Sequence, residues 1–133
     1  MVSTRAKGSQ YEREIKVILE KWGYEVIRAP YTMRPIGKGR FVSGQVDFFN
    51  LFDLIAKNKN CTVYVQSEST PQHVSSCKQP ISDFRKKCGA PDDKFEVWQR
   101  VPRTGFIIHT LQDDGTWCKG KIDLKGRFDE ESG

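Results

Sequence analysis

A central mixed β-sheet flanked by helices, an α/β arrangement, is the fold class this 133-residue sequence predicts. Three observations predict it. An amphipathic helical stripe opens the chain. A second helical segment lies near its middle. Short alternating runs rich in Val, Ile, Phe and Tyr surround that second helix, three before it and two after.

Residues 9–22, SQYEREIKVILEKW, place Tyr11, Ile15, Ile18, Leu19 and Trp22 on one helical face. Ser9 followed by Glu12 has the form of a capping box, and Gly23 is a stop signal. YEVIRAP then reads as a strand ended by Pro30. Residues 30–46 hold two prolines, three glycines and no acid, and they read as a long, basic, mobile loop. FFNLFDLIAK and CTVYVQSES are a hairpin turned at KNKN. Pro71 to Gln79 reads as irregular, with Pro80 opening a helix through ISDFRKKC that Gly89 closes. FEVWQRV and GFIIHTL are the last two clear strands. The tail, from about 119 to 133, adds at most a short strand. The expected order is α, β, β, β, α, β, β, in one domain spanning 1–133.

Bulk properties narrow the function. With 37% hydrophobic and 29% charged residues, the chain reads as a globular domain without a membrane span. The basic N-terminus lacks the apolar segment of a signal peptide, so a cytoplasmic location is expected. Cys61, Cys77, Cys88 and Cys118 are scattered, with no C-x-x-C pair. Reduced thiols fit better than zinc ligands. Residues 1–40 hold nine Lys or Arg against four Glu, whereas 41–133 hold thirteen of each sign. The net charge of +5 therefore sits at the N-terminal end and points to a polyanion partner.

Glu12, Asp53, Gln66 and Glu68 are the candidate chemistry. Gln66 and Glu68 are two apart and share one strand face, and Asp53 lies on the neighbouring strand. Such oxygen ligands suit Mg²⁺ or Mn²⁺, a hard cation that neutralises a phosphodiester and acidifies an attacking water. Glu12 also reads as a plain capping acid, and Gln66 and Glu68 as a solvated strand face. Asp53 in an apolar strand is harder to dismiss, because a buried carboxylate without a partner is costly. PDDK at 91–94 sits in a turn and is a coincidental acid–lysine string.

KGSQYERE, YEVIRAP, FDLIAK and VYVQSEST, in that order, resemble the archaeal-type Holliday junction resolvases of the PD-(D/E)xK nuclease superfamily. FEVWQRV resembles their late tryptophan strand, and the resemblance covers roughly residues 5–101. It implies a restriction-endonuclease-like core and metal-dependent cleavage of four-way DNA junctions. It also implies a homodimer, with no membrane or small-molecule cofactor, in a prokaryotic host or its phage. By position, Glu12, Asp53 and Gln66 resemble the metal ligands. Arg13 and Arg28 resemble the basic residues at the scissile phosphate, and Ser69 matches the family serine. Glu68 stands where the family carries its catalytic lysine. Three accounts compete: the change disables cleavage, it is tolerated, or Lys57 substitutes from the paired strand.

Arg5, Lys7, Arg34, Lys38 and Arg40 are the expected phosphate contacts, reading no sequence. Arg85, Lys86 and Lys87 either extend that surface or form a solvated helix face. Two equivalent cuts in a junction call for a two-fold dimer. Phe48, Phe49 and Trp98 are candidate apolar contacts for it. The rivals are another PD-(D/E)xK endonuclease and a non-catalytic junction-binding protein. An RNA-binding module lacks its aromatic motif here.

Overall fold

The computed structural model describes residues 4–37, 39–45 and 47–128; the side chains of 4–7, 31–36 and 40–45 lie outside the description. Helix α1 spans Thr4–Lys21. Ile15, Ile18 and Leu19 are its buried stripe, at 2% exposure or less. Ser9 lies inside the helix and is not its cap. The C-terminus is a Schellman turn, with Gly23 at φ 95°. The Tyr24 N–H reaches the Leu19 carbonyl at 3.0 Å, and the Gly23 N–H reaches that of Glu20 at 3.0 Å.

The strands are β1 (Glu25–Arg28), β2 (Tyr31–Gly37), β3 (Arg40–Gln45), β4 (Leu54–Lys57), β5 (Thr62–Glu68), β6 (Asp93–Val101), β7 (Gly105–Leu111) and β8 (Trp117–Asp123). Helix α2 spans Pro71–Cys88. Six strands form one sheet in the order β1-β4-β5-β6-β7-β8. Only β5 and β6 are parallel, joined through α2, so the sheet is mixed as expected.

Three expectations change, and the short strand expected of the tail is β8. Residues 31–37 and 40–45 are strands rather than loop: β2 and β3 pair as an antiparallel hairpin, a sheet of their own. Gly37 and Gly39, at φ 142° and 72°, make its turn, and a two-stranded ribbon leaves Pro35 on an edge where its missing N–H is tolerated. Helix α2 begins at Pro71, not Pro80. The Thr70 hydroxyl accepts from the His73 N–H, Pro71 occupies the first turn, and Val74 and Ile81 are buried. Pro80 is therefore interior, at the cost of one helical hydrogen bond. FFNLF is a turn, with Phe49 and Asn50 left-handed at φ 55° and 58° and Phe48 bridged to Phe52, so Asp53 immediately precedes β4. The tail contributes β8 through Asp123, and residues 129–133 lie outside the described residues.

Apolar groups cover both faces of the sheet. On the α1 face, Ile15, Ile18 and Leu19 meet Leu54, Val63, Val65, Trp98 and Phe106. On the α2 face, Val74 and Ile81 meet Phe52, Phe95 and Val97. Trp98 is fully buried, which removes it from the candidate dimer contacts. Phe48 packs against the α2-side core, and Phe49 is exposed, its ring 4.9 Å from that of Phe84. The four cysteines are free thiols.

An ion pair ties α1 to β6. The buried Arg100 guanidinium donates to Glu14 at 2.9 Å and 3.4 Å and lies over the Tyr11 and Phe106 rings. Glu14→Gln leaves that guanidinium short of its charged acceptor. The expected loss is about 2 kcal/mol, read as a lower midpoint in urea unfolding.

Candidate active site

The end of β5, the N-terminal half of α1 and the start of α2 enclose a cleft. Gly8, Tyr11, Glu12, Ser67, Glu68, Ser69, Thr70 and His73 line it. Each enters for a local reason. Glu12 rides on α1 one turn before the buried Ile15. β5 outruns β4, so Gln66, Ser67 and Glu68 project past the hairpin. The Phe48–Phe52 turn then folds the chain back and brings Asp47 against Asp53.

Asp53 is the electrostatic centre. Its carboxyl is 6% exposed and accepts the Ser67 N–H at 2.8 Å. Burial above all, then the charges of Glu12 and Asp47, pushes its pKa up to about 8, against the Ser67 bond that lowers it. A hydrogen bond with Asp47 is a further, smaller cause that raises the Asp53 pKa. Glu12 is buried and receives Arg28 at 3.2 Å. Arg28 also donates to the Ser9 hydroxyl at 3.1 Å, and its Nε is buried without a partner among the described residues.

Gln66 donates through Nε2 to Glu68 at 2.8 Å, as two residues on one face of a strand should. Its Oε1 is buried with no partner among the described residues. An oxygen without a donor, beside a carboxyl crowded by two acids, fits a divalent cation. Glu12, Asp53 and Gln66 are the residues that would hold it. Among the described residues, no three His, Cys, Asp or Glu side chains stand close enough to form a metal site by themselves.

The remaining predicted residues divide. Arg13 is exposed and donates to Ser9 at 3.2 Å, one helical turn from the cleft. Ser69 is exposed on the cleft rim. Lys57 does not reach the site: it pairs with Thr62 at the far end of the hairpin, roughly 13 Å along from Asp53. Arg85 is committed to the Gln112 carbonyl at 2.6 Å, and Lys86 and Lys87 are exposed. The side chains of Arg5, Lys7, Arg34 and Arg40, and Lys38 altogether, lie outside the described residues.

Sequence reading missed Asp47 and His73. Asp47 had a cue in Asn50, a turn residue between the Phe48–Phe49 pair and Leu51–Phe52. His73 follows the Thr70 cap by three residues, and its Nδ1 lies 3.7 Å from Glu68. No lysine or arginine lines the described cleft.

Compared with known proteins, residues 3–74 match the family model for archaeal Holliday junction resolvase (hjc). The chain belongs to that family. Resolvases of this family are junction-resolving endonucleases acting on branched DNA, and nuclease activity follows with membership. The matched stretch runs from α1 to the first turn of α2 and contains Glu12, Asp53, Gln66 and Glu68. Among solved structures, the Holliday junction resolvase of the archaeal hyperthermophile Archaeoglobus fulgidus aligns with a TM-score of 0.49. Its identity is 19%, over 77% of this chain and 70% of that one. No curated protein matches the sequence. No helix of this resolvase, among the described residues, is long and apolar enough to cross a membrane.

Proposed function

We propose that this chain cuts four-way DNA junctions by divalent-metal-assisted phosphodiester hydrolysis in the Glu12–Asp53–Gln66 cleft, and that Glu68 holds the reaction back. One observation supports this most. Asp53 is buried against Glu12 and Asp47 beside the partnerless Gln66 Oε1, a cluster that a cation would relieve.

Bound there, Mg²⁺ or Mn²⁺ would neutralise the scissile phosphate and make its water more acidic. The chain's own groups do the rest. The Ser67 N–H orients Asp53. Arg28 holds Glu12, and its buried Nε has no acceptor among the described residues. Arg13 extends that cationic edge. Two-fold pairing of the 133-residue domain would place two clefts on one junction, and the reaction belongs in a prokaryotic cytoplasm where branched DNA arises.

A second reading has an observation of its own. Glu68 is engaged by Gln66 and faces His73 in a cleft lined by no ammonium among the described residues, the state expected of a junction binder without turnover. The test uses a labelled synthetic four-way junction and a linear duplex of the same arms, with Mg²⁺, Mn²⁺ or EDTA. Tighter binding to the junction at matched salt, with paired symmetric nicks only in metal, is the expected result. Equal affinity for both DNAs overturns the junction assignment. Metal-dependent cutting of nicked or mismatched duplex instead would place the chain among other endonucleases of the superfamily.

A further inference from the structure

On the α2 face of the sheet, the Lys78 ammonium lies 5.5 Å from the Trp117 ring, and Trp117 is two residues along β8 from Lys119. We infer that Lys78 and Lys119, with His109 beneath them, form a phosphate-binding station for the DNA backbone adjacent to the cut. This rests on the junction-binding reading above.

The sheet register places the station. Gln66 pairs with Val97, Val97 with His109, and His109 with Lys119, so one row runs from the cleft across β5, β6, β7 and β8. Three strand spacings make roughly 14 Å. That is about four base-pair rises of a duplex strand. Lys78 enters from above, on the second turn of α2, with its ammonium 5.5 Å from the centre of the Trp117 ring.

The charges there are unbalanced. Among the described residues, neither lysine has a carboxylate within ion-pair distance, whereas Lys16 is paired with Glu20 at 2.8 Å. Burial first, and then the charge of Lys119, lowers the Lys78 pKa. His109 is 5% exposed and bonded through Nε2 to Gln99 at 2.9 Å, and its Nδ1 has no partner among the described residues. Burial, then Lys78 and Lys119, pushes its pKa down to about 4, so the ring is neutral near pH 7. With Nε2–H given to Gln99, Nδ1 is a buried acceptor under two ammoniums. It can take one ammonium hydrogen and leave the others directed outward. Two cations with no carboxylate partner among the described residues fit an anion held between them, and on this protein the polyanion is DNA.

The test compares Lys78→Glu/Lys119→Glu with a charge-matched pair at the far end of the sheet, the exposed Lys57→Glu/Lys59→Glu. Junction binding is titrated in EDTA over a salt series. The station pair is expected to weaken binding at least about tenfold at low salt and to flatten the slope of log K against log salt by one to two, as for two lost phosphate contacts. The far pair is expected to change affinity less than threefold. Lys78→Arg/Lys119→Arg should keep wild-type affinity, and Lys78→Gln/Lys119→Gln should fold with an unchanged melting temperature yet show the flatter slope. Equal weakening by both Glu pairs, or an unchanged slope in the Gln pair, overturns the station and leaves the junction reading intact. Failure of the unsubstituted chain to bind any junction overturns both.

Discussion

Glu68→Lys is expected to raise paired nicking of a four-way junction by about two orders of magnitude or more in Mg²⁺, the usual worth of a placed proton-transfer group. As the chain stands, the Glu68 carboxylate takes the Gln66 amide at 2.8 Å and adds negative charge to a cleft that Glu12 already lines. A phosphodiester and an attacking hydroxide are both anions, so each is repelled where it must enter. Lysine reverses the sign at that point and frees the Gln66 amide. His73 loses its acidic neighbour, but its side chain is 69% exposed and folding should change little. Single-turnover cleavage of both versions on one labelled junction measures the effect. Equal, metal-dependent rates would show that glutamate is tolerated. Silence from both, with junction binding retained, would leave the non-catalytic reading.

Asp53→Asn, placed in the faster of those two backgrounds, is expected to reduce cleavage by about a thousandfold while sparing junction affinity. A lost metal ligand removes several kcal/mol of transition-state stabilisation, and each 1.4 kcal/mol is about tenfold. The same change should stabilise the metal-free protein. Asp53 has its folded pKa raised from 3.8 to about 8, chiefly by burial. Below pH 4 both folded and unfolded chains hold the proton. Between pH 4 and pH 8 the unfolded chain ionises freely while the folded one resists, so stability falls across that window and levels off above it. Asparagine has no such cost. In EDTA the variant should therefore melt higher than its parent at pH 8 and close to it at pH 4. Adding Mg²⁺ at pH 8 should raise the parent's melting temperature and leave the variant's unchanged. A parent whose stability is flat from pH 4 to 8, or equal stabilisation of both by Mg²⁺, would sink the assignment of Asp53 as a ligand.

Much of this arrangement is written in short-range pattern. The period of Tyr11, Ile15, Ile18 and Leu19 places α1 against the sheet, and Glu12 follows on the cleft side from its position relative to Ile15. Alternation along β5 puts Gln66 and Glu68 together, and they are hydrogen-bonded. Both signals are local, because side-chain direction repeats every 3.6 or two residues whatever the rest of the chain does. Where local cues competed, the reading slipped. Proline and glycine made 31–45 look irregular, although a two-stranded ribbon accepts both. The polar surface of 71–79 hid a helix whose Thr70 cap, Pro71 start and buried Val74 were all present.

The sequence by itself determined the α/β class, the family motifs, the lysine-to-glutamate exchange at position 68 and the pairing of Gln66 with Glu68. Only the tertiary structure decided that Asp47 joins Asp53, that Lys57 stands too far away, that Trp98 is core, and that Lys78 meets Lys119 over His109. Those facts depend on a tight left-handed turn, on strand register and on a helix crossing from β5 to β6. Each brings together residues whose separation along the chain says nothing about their distance in space. Burial then sets the charge on Asp53 and on His109, and burial is a property of the packed whole.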